Sequence, residues 1–250
     1  MIYNKTVTVI IPCRNEADSL RVLIPQLPDY IDQIIVVDNK STDGSGDVAK
    51  ELGAEVVTEN KTDSRGIGYG YAHMAGMKSA KSDYIVTMDG DGTYPVGAIW
   101  GLIRFMISHE IDFVTCSRFP LINEKAISRM RQFGVWLLNT EVQLLYGYPM
   151  KDILSGMWAM NKKTIAKMPL VEGGWDLSPE VKLQALIRHD ISFAQYHIDH
   201  HPRDNGASEQ QLFETGFNHA MFIFLRRLTK DNPIKLMFEL RNYRVKSKKL

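Results

Sequence analysis

The chain has 250 residues, 44% hydrophobic and 24% charged, the range of an ordinary globular protein with one sizeable core. A formal net charge of +1 gives no global field for nucleic acid, so any charged partner must be held by a local patch. Cys13 and Cys116 are too few for a disulfide framework or a zinc cluster and read as free core thiols.

In chain order, the opening "MIYNKTVTVIIP" lacks the basic start, apolar core and cleavage site of a secretory signal, so export is not expected. Its run "VTVIIP" is the first of five Val- and Ile-rich strand candidates, the others being "QIIVVD", "AEVVTE", "DYIVTM" and "DFVTCS". Between most of them lie segments of helical periodicity, "ADSLRVLIPQL", "SGDVAKEL" and "IGYGYAHMAGMKSA". Alternating strand and helix predicts an α/β fold, a Rossmann-like, mainly parallel sheet with helices on both faces. After Arg118 the spacing predicts a long helix from about Asn123 to Tyr146. A loop, "GYPMKDILSGMWAM", follows, then a helix from an N-cap at Ser178 to about His189 and a strand-like "ISFAQYHI". With no low-complexity linker and no internal repeat, one domain over residues 1–225 is expected, followed by an extension over 226–250. That extension interleaves Lys230, Lys235, Arg241 and Arg244 with Met237, Phe238 and Leu240, a composition suited to a helix lying on an anionic membrane surface. No apolar stretch approaches the roughly 20 residues that span a bilayer.

In a doubly wound sheet, ligands bind beyond the carboxyl ends of the strands. Three such ends are polar: "PCRNE", "DNKSTDG" and "DGDGTYP". The last places Asp89 and Asp91 one residue apart. Two adjacent carboxylates persist only with a cation, a shared proton or solvent beside them. Mg²⁺ or Mn²⁺ held by the pair, its shell completed by phosphate oxygens and water, is one reading; a surface Asp-Gly turn is the other.

Six motifs in order, "VIIPCRNEADSL", "IIVVDNKSTDGS", "RGIGYGYAHMAGMKSAKSDYIVTMDGDGTYP", "VTCSRF", "KDILSGMWAM" and "HPRDNGAS", give the chain a pattern that resembles the family 2 glycosyltransferases of the GT-A fold. Among them it is most similar to the polyprenyl-phosphate sugar synthases. The resemblance implies that Pro12, Arg14 and Glu16 meet the base and ribose of a nucleotide-sugar donor. By the same likeness Asp38 recognises the nucleotide, and Asp89 and Asp91 hold the metal. Arg118 and Arg131 match arginines that receive a lipid acceptor's phosphate, and Arg203 matches one over the donor diphosphate. The implied activity is inverting, metal-dependent transfer of a hexose to a polyprenyl or dolichyl phosphate, by a cytoplasmic protein peripheral at the membrane leaflet. A hydroxyl acceptor, or nucleotide-sugar binding without turnover, stay as alternatives. Three positions depart from the family pattern: Thr93 stands where Gln is frequent, Asn39-Lys40 replaces an acid, and Glu209 replaces a lysine.

Other signals stay open. Asp152 is a candidate general base for a hydroxyl acceptor, or a loop acid capping amides. Arg131 is expected to share a helix face with Ser128 and Val135, at the border of an apolar stripe. "RGIGYG", with Gly66, lacks a phosphate-loop ending and reads as a close-packed helix start near the donor. Strand alternation places His200 opposite His197 and His201, which argues against a zinc site but leaves one of them able to join the catalytic metal. Glu180 is either an acid near the donor sugar or a helix acid favoured by the dipole.

Overall fold

β1 (Val7–Cys13) is buried along its whole length, as a strand covered on both faces must be. It lies near the middle of a sheet in the computed structural model, which describes residues 1–203 and 212–228. The chain continues through α1 (Ala17–Leu23), a 3₁₀ turn (Ile24–Gln26), β2 (Gln33–Asp38), α2 (Ser45–Glu51), β3 (Glu55–Thr58) and α3 (Tyr69–Ser79). Next come β4 (Tyr84–Thr87), α4 (Ala98–Ser108), β5 (Phe113–Ser117), α5 (Arg129–Tyr146), β6 (Trp158–Asn161) and α6 (Lys162–Ile165). α7 (Leu177–Ile187), β7 (Phe193–His197) and α8 (Leu212–Leu228) follow. The sheet has seven strands in the order β3-β2-β1-β4-β6-β5-β7. All neighbours are parallel except β6, which is antiparallel to both β4 and β5.

Side-chain alternation divides the core between the two faces. Val7, Val9 and Ile11 join Leu20 of α1, Val48 of α2 and Leu102 of α4 on one face. Ile10, Ile35 and Phe113 meet Met77 of α3 and Val181 of α7 on the other. A third cluster, with Leu138, Val142, Leu183 and Phe222, binds α5 and α8 to α7.

The five expected strands and the mainly parallel sheet are present. β6 lies inside the segment expected to be a loop; it is four residues long with a single β-branched-free sequence, WAMN, and its burial is set by β4 and β5. α5 starts at Arg129 rather than near Asn123, because Ser128 is its N-cap and accepts the Arg131 amide. Ser128 therefore does not share a helix face with Arg131. Ser178 lies inside α7, whose N-cap is Asp176. The boundary expected at residues 225 and 226 falls within α8: Arg226 is buried 3.8 Å from Glu180, and Arg227 donates to the Leu145 carbonyl. Glu209 and the basic residues beyond Leu228 lie outside the described residues. Among the described residues no helix is long and apolar enough to cross a membrane.

Close packing of α3 on the sheet relies on Gly76, where a Cβ would run into Ile10 Cγ2 and lie 3.1 Å from Val37 Cγ2. Gly76→Ala gains up to about 1 kcal/mol of helix propensity but overpacks a core site at a cost of about 1–3 kcal/mol. A net loss of stability is expected, read in urea unfolding as a lower midpoint at unchanged slope.

Candidate active site

The ends of β1, β2 and β4 open on one cleft of about 1080 Å³. Its polar end is built by the loop after β1, where Pro12, Arg14 and Glu16 line the wall. Arg14 donates through Nη1 to the Gly66 carbonyl at 3.1 Å. Gly66 has φ +79°, so the Arg65–Ile67 turn needs glycine there. Asp38 is not among the residues lining the cleft: its Oδ1 accepts the Ser41 amide at 2.9 Å and fixes the loop after β2. Asn39 and Asp43 line the cleft in its place. An acid at a strand end is also the nearest acceptor for its own turn, which is where the Asp38 side chain is engaged.

Asp89 and Asp91 follow β4 directly and both line the cleft. Asp89 accepts a hydrogen bond from the Tyr69 hydroxyl at 3.2 Å. Asp91 accepts from the Thr93 amide and hydroxyl through Oδ1, at 3.1 and 2.7 Å, and pairs with Arg203 through Oδ2. Thr93 therefore acts on Asp91 itself. Burial, and next the charge of Asp91, push the Asp89 carboxyl up to about 7. Backbone approaches closely here: a Cβ on Gly156 would lie 2.7 Å from both Asp89 oxygens.

This donor set fits a hard divalent ion. Two carboxylates line one cleft, one of them pushed towards protonation by burial and then by the other, and such ions take one or two carboxylates and complete their shell with phosphate and water. Among the described residues no group of three or more His, Cys, Asp and Glu side chains is gathered for a metal. His200, buried against Tyr94 with ring centroids 5.0 Å apart, keeps an Nδ1 without a hydrogen-bond partner. Burial, and then Arg118, push its pKa down to about 4, so the ring is neutral and able to accept. His197 instead bonds the Pro120 carbonyl at an exposed position, and His201 is exposed.

Arg118 and Asp152 form a buried bidentate pair, Nε to Oδ2 at 2.6 Å and Nη2 to Oδ1 at 2.9 Å, and Asp152 also accepts the Arg118 amide. Burial works against ionisation of Asp152, but Arg118 more than offsets it and holds the carboxyl below its usual range. With both oxygens occupied by one guanidinium, Asp152 is an anchor for Arg118 rather than a free base. Arg131 lines the same cleft; burial lowers its pKa first, followed by repulsion from Arg203 and Arg118. Arg118 and Arg203 have carboxylate partners, whereas the Arg131 guanidinium has none among the described residues. Beyond Arg131 the cleft becomes apolar, lined by exposed Met130, Phe133 and Leu137 of α5 and Phe213 and Phe217 of α8.

Several contributors are not legible as motifs. Lys182, fully buried on α7, donates to the carbonyls of Ile153, Ser155 and Ser178 and to the Ser178 hydroxyl at 2.7–3.1 Å. It fixes the loop that presents Asp152 and Gly156. A lysine four residues after Ser178 and three before Ala185, on an otherwise buried face, is the only sequence signal for it. Glu180 stands in the first turn of α7, the place of a helix acid favoured by the dipole, and accepts the amides of Val171 and Glu172 from inside the core. Asp152→Ala strands the Arg118 charge and is expected to cost about 3–5 kcal/mol, whereas Arg118→Met with Asp152→Leu costs much less; denaturant unfolding of the two variants measures the difference.

Residues 8–168 match the model of the family described as glycosyl transferase family 2. Glycosyltransferase AglJ of Haloferax volcanii is 27% identical over 234 residues, covering 91% of this chain and 74% of that protein. A dolichol-phosphate mannosyltransferase of Pyrococcus furiosus is 26% identical over 186 residues, 71% of this chain and 52% of its own length. Among solved structures, glucosyl-3-phosphoglycerate synthase from Mycobacterium tuberculosis, crystallised with Mn²⁺, UDP and phosphoglyceric acid, superposes with a TM-score of 0.70 at 20% identity, covering 90% of this chain and 79% of that one. The sheet topology, the paired acids at the end of β4 and the family match over most of the chain make this protein a member of glycosyl transferase family 2 with the GT-A fold.

Proposed function

We propose that the protein transfers a hexose from a nucleotide-sugar to a polyprenyl or dolichyl phosphate, with inversion and with Mg²⁺ or Mn²⁺. The observation that carries this reading is Arg131, a cation without a carboxylate partner among the described residues, set where the polar cleft turns apolar. An anion with an apolar tail fits that junction. Relatives named as glycan hexosyltransferase and dolichol-phosphate mannosyltransferase support it.

In this reading Arg14, Asn39 and Asp43 bound the nucleotide end. Asp89 and Asp91 would hold the ion, which when bound supplies positive charge to the diphosphate leaving group. Arg203 exchanges its Asp91 contact for the diphosphate oxygens, and its fork keeps a fixed charge there. Arg131 orients the acceptor phosphate, and Arg118, locked by Asp152, adds a stationary positive field. A phosphate oxygen is already anionic at neutral pH, so attack on the anomeric carbon calls for orientation and no dedicated base. The apolar faces of α5 and α8 receive the isoprenoid chain and lie against the membrane surface.

A soluble phosphorylated acceptor is the second reading, since the same arginines suit any phosphate and the structural neighbours carry phosphoglyceric acid. The test incubates purified protein and Mn²⁺ with UDP- and GDP-hexoses plus polyprenyl phosphate in detergent, 3-phosphoglycerate, or neither, and measures released nucleoside diphosphate. Release that requires the lipid supports the proposal; release with phosphoglycerate alone moves the acceptor to a soluble one; nucleotide binding without release in any arm leaves a binding protein. Arg131→Ala is expected to lower lipid transfer roughly ten- to hundredfold, the worth of one charge-assisted contact, with nucleotide affinity nearly unchanged. Because Asp89 carries its proton below about 7, the ion must displace it; Mn²⁺ affinity by calorimetry is expected to fall by up to about tenfold per pH unit as pH drops through that range. A flat profile counts against the acid pair as its ligand.

A further inference from the structure

The segment "EGGWD", Glu172 to Asp176, joins parts of the cleft far apart in sequence. The Gly173 carbonyl accepts the amides of Gly70 and Tyr71 at 2.9 and 3.2 Å, next to Tyr69, whose hydroxyl meets Asp89. Gly174 has no room for a side chain, since a Cβ would run into Asp63 Oδ2 and lie 2.6 Å from Arg65 Nη2. Trp175 packs on Tyr69 with ring centroids 4.7 Å apart. Asp176 accepts from Arg65 Nη2 at 3.0 Å through Oδ2 and bonds His219 Nδ1 at 2.8 Å through Oδ1.

The two partners of Asp176 come from different elements, the Asp63–Ile67 turn and α8, which also line a smaller pocket together with Arg14. Arg65 is also gripped by Asp63, through Nε and Nη2 at 2.9 and 2.8 Å, and Asp63 Oδ1 takes the amides of Arg65 and Ile67. That turn offers the Gly66 carbonyl to Arg14 of the nucleotide wall. His219 lies on α8, whose Phe213 and Phe217 line the apolar end. The Asp63 and Asp176 side chains are only 1% and 11% exposed, and the Arg65 guanidinium is paired with both. Against the effect of burial at Asp176, it acts beside His219, and the two hold that carboxyl below its usual range. Buried charges cannot be left unpaired without large cost. A shift of α8 that draws His219 from Asp176 therefore changes the load on Arg65 and on the turn that holds Arg14, and a network of this kind transmits such changes.

We propose that His219 and Arg65 are positioning residues which, through Asp176, seat α8 against the Asp63–Ile67 turn and couple the acceptor end of the cleft energetically to its nucleotide end. The proposal rests on the nucleotide-diphosphate reading above. By reciprocity, whatever holds α8 in place tightens the nucleotide, and a bound nucleotide steadies α8.

The experiment measures Mn²⁺-dependent binding of UDP and of GDP by calorimetry to the wild type, His219→Ala, Arg65→Ala and the double variant, with thermal unfolding alongside. Each single substitution is expected to weaken the bound nucleotide about five- to hundredfold. The double variant is expected to lose little more than the worse single one, because both act through one carboxylate. His219→Gln, whose amide still donates to Asp176, restores affinity to within about threefold of wild type. Wild-type affinity in folded His219→Ala, or strictly additive losses, overturns the coupling even if stability has dropped. Should His219→Ala not fold, Arg65→Lys decides, since it keeps the charge and loses the fork: weakened nucleotide binding supports the proposal, unchanged binding overturns it. A wild type that binds neither UDP nor GDP overturns the nucleotide reading and the coupling together, a result distinct from binding that ignores residue 219.

Discussion

Repulsion between Asp89 and Asp91 is the constraint around which the cleft is built. Separated by one residue at the end of a buried strand, they cannot both carry charge unless the surroundings answer it. The surroundings do so unevenly. Asp91 receives Thr93 and Arg203, whereas Asp89 has the Tyr69 hydroxyl and the charges of Arg118 and Arg203 at longer range. One acid is thus well compensated and its neighbour is held near the point of protonation. A divalent ion is the simplest group that relieves both.

The backbone crowding nearby follows from the same need. Glycine at 90 lets Glu16 approach, and glycine at 156 lets a loop pass against Asp89. That loop is itself held by buried charge: Lys182 grips its carbonyls, and Asp152 within it clamps Arg118. Burial brings Lys182 down to about 7, with Asp152 partly offsetting the loss. Such groups add little net stability compared with apolar packing, so their value here is in fixing positions. Arg118 is locked by Asp152, Arg203 is paired with Asp91, and Arg131 has no carboxylate partner among the described residues. Three guanidiniums in one cleft with different degrees of pairing give a graded positive field between its polar end and the apolar helices.

The sheet, whose GT-A fold the chain shares with its structural neighbours, carries the acid pair at the end of β4. The apolar end of the cleft is made by α5 and α8, elements outside or at the edge of the sheet's repeating units. Loops and added helices vary more readily than the sheet that carries them. In this protein those two helices give the cleft its apolar lining, with Arg131 at its border.

The sequence by itself determined the alternation of strand and helix, the mainly parallel sheet and the acid pair's place at a strand end, because these follow from local hydrophobic period and from residues adjacent in the chain. Arg118 and Arg131 were also legible as candidates, through the motif order. Tertiary structure alone decided which charges are free. Asp152 as an anchor, Asp38 turned into its own loop, Lys182 as a buried prop and the Arg65–Asp176–His219 link each join residues whose partners come from other elements, or depend on the path of a loop. Four-residue β6 belongs with them, since "WAMN" becomes a strand only where β4 and β5 offer hydrogen bonds on both sides. Local pattern reports the preferences of a segment; the partner of a buried charge is set by which distant segment arrives beside it, and that is a property of the fold.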